Sequence, residues 1–167
     1  MGNGTTAPSL VPAQVPGLSG VVDVAASRHA GMALRGEGWV VVWGHDFNQL
    51  SGEGPISATS LELFRIPGLR EIGAGLDNGA GLQDNGRVRA WGGNSSGSVG
   101  TGSLAQANPD PAPVIGVVNA SYVGSGPTAD HAVVVQPVLT DFSLTLDPGA
   151  GSVASGGSLR PCSPSPR

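Results

Sequence analysis

A serine between two glycines is the one segment of this chain whose residue types could support covalent catalysis. Residues 93–97 read Gly-Asn-Ser-Ser-Gly, which fits the G-x-S-x-G pattern that presents a nucleophilic serine, here Ser95, at a sharp turn. That turn must join a strand to a helix in a large α/β sheet, and no helical pattern follows Gly97. We therefore predict no catalytic residue and no enzyme, with a serine hydrolase that uses Ser95 as the alternative.

Residues of the types that commonly bind metals and cofactors are few and scattered along this chain. The histidines are His29, His45 and His131, and Cys162 is the single cysteine, so neither a multi-cysteine zinc site nor an intramolecular disulfide can form. Residues 73–75, Gly-Ala-Gly, match half of a dinucleotide-binding fingerprint, but no crossover helix or ribose-binding acid accompanies them. The sequence therefore predicts no metal and no cofactor.

Composition argues against a nucleic-acid or membrane protein. The eight basic residues are all arginines, twelve residues are acidic, and the net charge is −4, whereas nucleic-acid binders present a clustered basic face. No apolar run approaches the roughly 20 residues of a membrane-spanning helix. The 167 residues include 28 glycines and 14 prolines, which leave no room for long helices. We therefore predict strands and turns, without nucleic-acid binding or membrane insertion.

A repeated Trp-Gly segment organises these strands. Residues 38–44 (Gly-Trp-Val-Val-Val-Trp-Gly) return as residues 86–92 (Gly-Arg-Val-Arg-Ala-Trp-Gly), so that Trp91 follows Trp43 by 48 residues. A period of about 20 to 50 residues is typical of repeat proteins, in which each unit buries its apolar face against its neighbours. The sequence divides into repeats over residues 2–51, 52–99 and 100–136.

The order of features within a repeat resembles the regulator of chromosome condensation repeat. Each of the first two copies has a leading Gly-x-Gly, a proline-bearing loop, two short strands, a turn and the Trp-Gly strand, and the second ends as Trp-Gly-Gly-Asn-Ser-Ser-Gly-Ser-Val-Gly. The third copy has no Trp-Gly hairpin. The resemblance implies an all-β fold, a partial, open β-propeller arc of two to three four-stranded blades without significant helix. A closed propeller of seven blades needs about twice this length, so we expect a C-terminal piece of a larger propeller, or an incomplete gene fragment without a function of its own.

Hydrophobic and turn patterns predict where the strands lie. They are expected near residues 21–27, 32–35, 39–43, 63–66, 70–74, 80–83, 87–91, 117–124 and 131–135. Residues 5–18 contain three prolines and are expected to form an extended loop. After residue 137 the pattern changes: residues 138–158 resemble the start of a bacterial immunoglobulin-like module, and residues 159–167 are predicted to be disordered. The domain boundary is thus predicted after residues 1–137.

The resemblance also assigns structural anchors. These are Trp43 and Gly44 in the first repeat, Trp91 and Gly92 in the second, and His29 and His131, which occupy the repeat's histidine and tie adjacent loops. We expect both anchor tryptophans to be largely buried. Trp39 should be more exposed, because Arg87 replaces it in the next repeat.

The function cannot be taken from the family, whose members include a nucleotide exchange factor for the GTPase Ran, a β-lactamase inhibitor and a plant UV-B receptor. We predict a non-enzymatic protein-binding module from a bacterium, secreted or at the cell surface, with a cytoplasmic location as the alternative. Its contacts are expected from the loops after the Trp-Gly strands, with an exposed aromatic residue as anchor: His45, Asp46, Phe47, Asn48, Asn94, Ser95 and Ser96. The open blade faces predict self-association, or association with missing blades.

Overall fold

The structure of the chain, a computed structural model, describes residues 2–45 and 56–137. The contacts of the chain separate Met1–Pro137 from Val138–Arg167. The described residues contain ten strands, one short 3-10 turn at Gly36–Gly38, and no α-helix. The prediction of an all-β fold is confirmed.

The strands form two four-stranded antiparallel sheets and a hairpin, which we call blades 1, 2 and 3. In each four-stranded blade the strand order follows the sequence. Blade 1 consists of β1 Val21–Ala26, β2 Ala30–Arg35, β3 Trp39–His45 and β4 Ile56–Arg65. Blade 2 consists of β5 Leu69–Ala74, β6 Asn78–Gln83, β7 Val88–Gly93 and β8 Ala107–Pro113. Blade 3 consists of β9 Tyr122–Ser125 and β10 Ala132–Val135.

The fourth strand of each complete blade comes from the following sequence repeat. β4 lies in the repeat over residues 52–99 but pairs with β3, and β8 lies in the third repeat but pairs with β7. The strand expected near residues 63–66 is therefore the end of the outer strand of blade 1. The sequence repeats and the blades are offset by one strand, so that consecutive sequence repeats share a sheet.

Two stretches differ from the strand predictions. β8 was not expected, because it contains three prolines; it lies at the edge of its sheet, where a residue without an N–H group is tolerated. The strand expected over residues 117–124 begins only at Tyr122. Asn119 interrupts it with a left-handed φ of 54°, and the N–H of Ala120 donates to the carbonyl of Gly86 in the β6–β7 turn. This hydrogen bond to the β6–β7 turn holds residues 117–120 out of the sheet of blade 3. Residues 5–18 contain no strand, as predicted.

The apolar core lies between blades. One cluster joins the β2 and β3 side chains of blade 1, including Met32, Leu34 and Val40, to Ile72 and Trp91 of blade 2. A second joins the opposite face of blade 2 to blade 3. Blade 2 thus buries its two faces against blades 1 and 3, as expected of an inner unit of a repeat protein.

The two anchor tryptophans occupy equivalent positions with unequal burial. Trp43 pairs with Gly31 and Trp91 pairs with Gly79, and in both cases the indole covers the glycine. Trp91 is fully buried, and its ring meets Phe64 of β4 edge-on, with centroids 5.0 Å apart. Trp43 has Gly2 beside it and is only half-buried, as is Trp39. Both anchors are thus buried, Trp43 less completely than Trp91, because no described strand covers it as β4 covers Trp91.

Candidate functional site

The rim loop after β7 is held in place by Asn94. Its side-chain amide donates to the carbonyls of Ser103 and Ala105, at 3.0 and 2.9 Å, and its Oδ1 accepts from the N–H of Val99 at 3.1 Å. Asn94 is 1% exposed. The prediction that Asn94 contacts a partner is therefore corrected: its amide bridges the two arms of the loop, and no part of it reaches the surface.

Ser95 and Ser96 form the exposed tip of that loop. They border a small cavity of about 110 Å³, whose remaining lining is mostly polar and comes from blade 2, from the same loop and from the loop that enters β10: Asp77, Asn78, Gly93, Ser98 and Asp130. Two aspartates and three serines thus line one point of the rim, and the Ser98 hydroxyl donates to the carbonyl of Gly93. Such a lining suits hydrogen-bond donors, above all cationic ones.

The same loop does not provide the geometry of a nucleophile elbow. β7 is followed by a turn and then by β8, without an intervening α-helix. A nucleophilic serine needs a base within hydrogen-bond reach, and no histidine lines the cavity beside Ser95. Nothing in the described rim favours hydrolysis.

The predicted loop after β3 lies mostly outside the described residues. Asp46, Phe47 and Asn48 are not described, and of His45 only its place at the end of β3 is known. Their role in binding stays a prediction.

The histidine position of the repeat is occupied differently from the prediction. Asn78 pairs with Gly92 as Ala30 pairs with Gly44, so Ala30 and not His29 is the equivalent of Asn78. The hairpin of blade 3 places His131 at that position, where its side chain is exposed.

The tie between loops that was expected of a histidine is made by an asparagine. Asn78 is 6% exposed, and its Nδ2 donates to the carbonyl of Asp130 at 3.2 Å, which joins blade 2 to the entry of β10. Asn78 was not predicted, because a histidine was expected at its position in the repeat. Its place three residues before the Gly81-Leu82 pair of β6 was the signal that could have identified it.

A second concave surface lies along the first strands of the three blades. β1, β5 and β9 line a groove of about 380 Å³ that contains the side chains of Asp23, Glu71 and Tyr122. Asp23 Oδ2 accepts from the N–H of Ile72 at 2.8 Å, so this carboxylate joins two blades. Glu71 Oε1 pairs with Arg70 at 3.2 Å, whereas its buried Oε2 has no hydrogen-bond partner among the described residues. Through Asp23 the groove is a junction between blades.

Among residues 2–45 and 56–137, no group of three or more metal-binding side chains comes together. In the same ranges no helix is long and apolar enough to cross a membrane.

The four-stranded antiparallel blades form an arc of the β-propeller type, and solved structures of RCC1-like propellers show the same fold. Yeast Prp20p, studied for its binding to Gsp1p and histones, aligns with a TM-score of 0.56 and 20% identity over 65% of this chain and 30% of its own. Yeast RCC1 (Prp20) bound to Kap60 gives 0.60 and 22% identity over 72% and 31% of the two chains. Human WBSCR16 gives 0.59 and 16% identity over 80% and 37%.

These likenesses establish the fold, and the chain spans about a third of the length of each of these proteins. No protein-family model matches the chain. The resemblance to propeller repeats is thus confirmed. The immunoglobulin-like segment lies outside the described residues.

Proposed function

We propose that the chain is a non-enzymatic protein-binding module that acts through its rim loops. The observation that carries this proposal is the Asn94 loop, in which a buried amide holds two exposed serines on a rigid scaffold. Binding residues are commonly placed on loops of this kind. The yeast neighbours named above bind other proteins, which supports the same class of function.

The lining of the rim cavity favours a partner with basic side chains. Ser95 and Ser96 supply hydroxyl groups, and Asp77 and Asp130 supply carboxylates that can accept charge-assisted hydrogen bonds. The chain's net charge of −4 favours the same kind of partner. His45, Asp46, Phe47 and Asn48 follow the equivalent Trp-Gly pair in the first repeat, and we propose that they extend the contact surface.

Site-specific photo-crosslinking tests this proposal. A photoreactive amino acid at position 96 is expected to capture a discrete protein in the native host, whereas the same group at Leu10, which is fully exposed and far along the chain, captures none. Excess wild-type protein should compete with the capture, and excess Ser95→Lys/Ser96→Lys protein, whose added positive charges repel a basic partner, should not. Identical products from both positions would contradict a specific rim site.

A fluorophosphonate probe separates this function from a hydrolase. We expect no labelling of Ser95 at concentrations that label a known serine hydrolase in the same sample. Stoichiometric labelling that the Ser95→Ala variant abolishes would instead assign the chain to catalysis.

We further propose that the chain is part of a larger bacterial propeller exported to the cell surface or medium, with the cytoplasm as the alternative. Its open blade faces would then associate with further blades or with another copy. The lysine-free composition and the tail after residue 137 motivate the bacterial, exported origin. Immunoblotting of the medium, of surface-protease-treated cells and of the cytoplasmic fraction decides the location.

A further inference from the structure

The two ends of the arc expose residues that are buried at the equivalent positions inside it. In β5 of blade 2, Leu69, Ile72 and Ala74 pack against blade 1, and Ile72 is 6% exposed. Their equivalents in β1 lie 48 residues earlier, and one of them, Val24, is 65% exposed. We call the surface of blade 1 that carries these residues the leading face: Val21, Val24, Ala26 and Trp43.

Blade 3, at the other end of the arc, also exposes residues whose equivalents are buried in blade 1. In β2 of blade 1, Met32 and Leu34 face blade 2 and are 0% exposed. The hairpin registers place Val133 and Val135 of β10 at the same positions, where they are 55% and 54% exposed. We call this surface the trailing face: Tyr122, Val133 and Val135.

In the interface between blades 1 and 2, the face of blade 1 that is equivalent to the trailing face packs against the face of blade 2 that is equivalent to the leading face. There, β2 and β3 side chains such as Met32 and Val42 pack against Ile72, while the anchor Trp91 reaches Phe64. The exposed leading and trailing faces are thus the two halves of a contact that the chain already makes internally. An apolar surface of this kind is seldom left uncovered on a soluble monomer.

We propose that the leading face of one chain docks on the trailing face of a second copy, repeating the internal blade-to-blade contact. This is a head-to-tail contact, in which different surfaces of the two copies meet. Two copies together supply six innermost strands, and closed propellers have about four to eight blades. The expected product is therefore a closed dimer in which the leading-to-trailing contact is made twice, rather than an open filament. It goes beyond the rim-loop function and does not depend on it.

Sedimentation analysis of matched variants of the full chain tests the mode of contact. Val24→Glu alters the leading face and Val133→Glu the trailing face, and Leu104→Glu, at a residue that is 93% exposed outside both faces, is the control. Burying an unpaired carboxylate is costly, so each face variant should raise the dimer dissociation constant by about tenfold or more. The control should dimerise like the wild type.

Mixing the two face variants distinguishes leading-to-trailing pairing from a contact between like faces, leading on leading or trailing on trailing. Val24→Glu retains an intact trailing face and Val133→Glu an intact leading face, so their mixture should form a 1:1 complex that neither forms alone. A wild-type chain that stays monomeric at all concentrations, or face variants that dimerise normally, would overturn the proposal. So would a mixture of two folded variants that does not associate.

Circular dichroism confirms that each variant keeps the wild-type strand spectrum. If one does not, Val24→Thr or Val133→Thr replaces it, because threonine is β-branched and nearly isosteric. The same mixing outcome is then expected, with a smaller loss of affinity for each variant alone.

Discussion

Asn94 uses both donors and the acceptor of its side-chain amide: it donates to the carbonyls of Ser103 and Ala105 on the far arm of the loop and accepts from the N–H of Val99 on the near arm. A side chain with two donors and an acceptor in one plane is suited to bridging two carbonyls and an N–H group. The rim loop is therefore fixed by one residue, and its exposed serines are positioned without ordering cost on binding.

Replacing that residue is expected to destabilise the protein. In the Asn94→Ala variant the carbonyls of Ser103 and Ala105 and the N–H of Val99 lose their side-chain partner. A buried polar group without a partner costs about 1–3 kcal/mol, so the free energy of unfolding should fall by about 2 kcal/mol or more. Urea unfolding measures it. The neighbouring exposed change Ser95→Ala is the control and should stay within about 0.5 kcal/mol of wild type.

The unequal burial of the anchor tryptophans predicts unequal effects of their removal. Trp91→Ala leaves a cavity between blades beside Phe64 and should cost about 3–5 kcal/mol. Trp43→Ala removes a half-buried ring and should lower the free energy of unfolding by about half as much. Urea unfolding of both variants measures these losses, at protein concentrations too low for dimerisation. Equal losses would mean that Trp43 is covered as completely as Trp91.

At the level of elements, one carboxylate ties the first strands of adjacent blades. Asp23 Oδ2 accepts from the N–H of Ile72, which belongs to the next blade. Asp23→Ala should therefore lower the free energy of unfolding by about 1–2 kcal/mol. Asp23→Asn keeps an acceptor oxygen and should lose less. The exposed Asp110→Ala is the control, and a loss as large as that of Asp23→Ala would show a general charge effect.

The sequence predicts those elements whose cause is local. The sequence Asp-Asn-Gly before β7 is typical of a hairpin turn, and Gly86 has the φ of 73° that such a turn needs. The run of three valines in β3 is typical of a strand covered on both faces, and Val40, Val41 and Val42 are all at most 2% exposed.

Elements whose cause is distant in sequence were not predicted. β8 is a strand because β7 offers it an open edge, although its prolines disfavour a strand. The role of Asn94 could not be predicted, because two of its partners lie on the far arm of its loop. The role of Asn78 could not be predicted either, because its partner is the carbonyl of Asp130, 52 residues away.

At the scale of the whole molecule, two surfaces of opposite character can bind partners at once. The rim cavity is lined by carboxylates and hydroxyl groups, whereas the leading and trailing faces are apolar. Contacts between exposed charges weaken as salt shortens the Debye length from about 10 Å at 0.1 M to about 3 Å at 1 M. Burial of apolar surface is not screened in this way, and salts excluded from the protein surface strengthen it.

We therefore expect salt to separate the two kinds of binding. Raising sodium chloride from about 0.1 to 1 M should weaken binding of the crosslinked rim partner by about tenfold or more, because that contact is ionic. Over the same range the dissociation constant for self-association should stay the same or fall. Asp130→Asn should reduce the salt dependence of partner binding and leave that of self-association unchanged. Self-association that weakens with salt in parallel with partner binding would show that charged groups, and not the valine faces, hold the copies together.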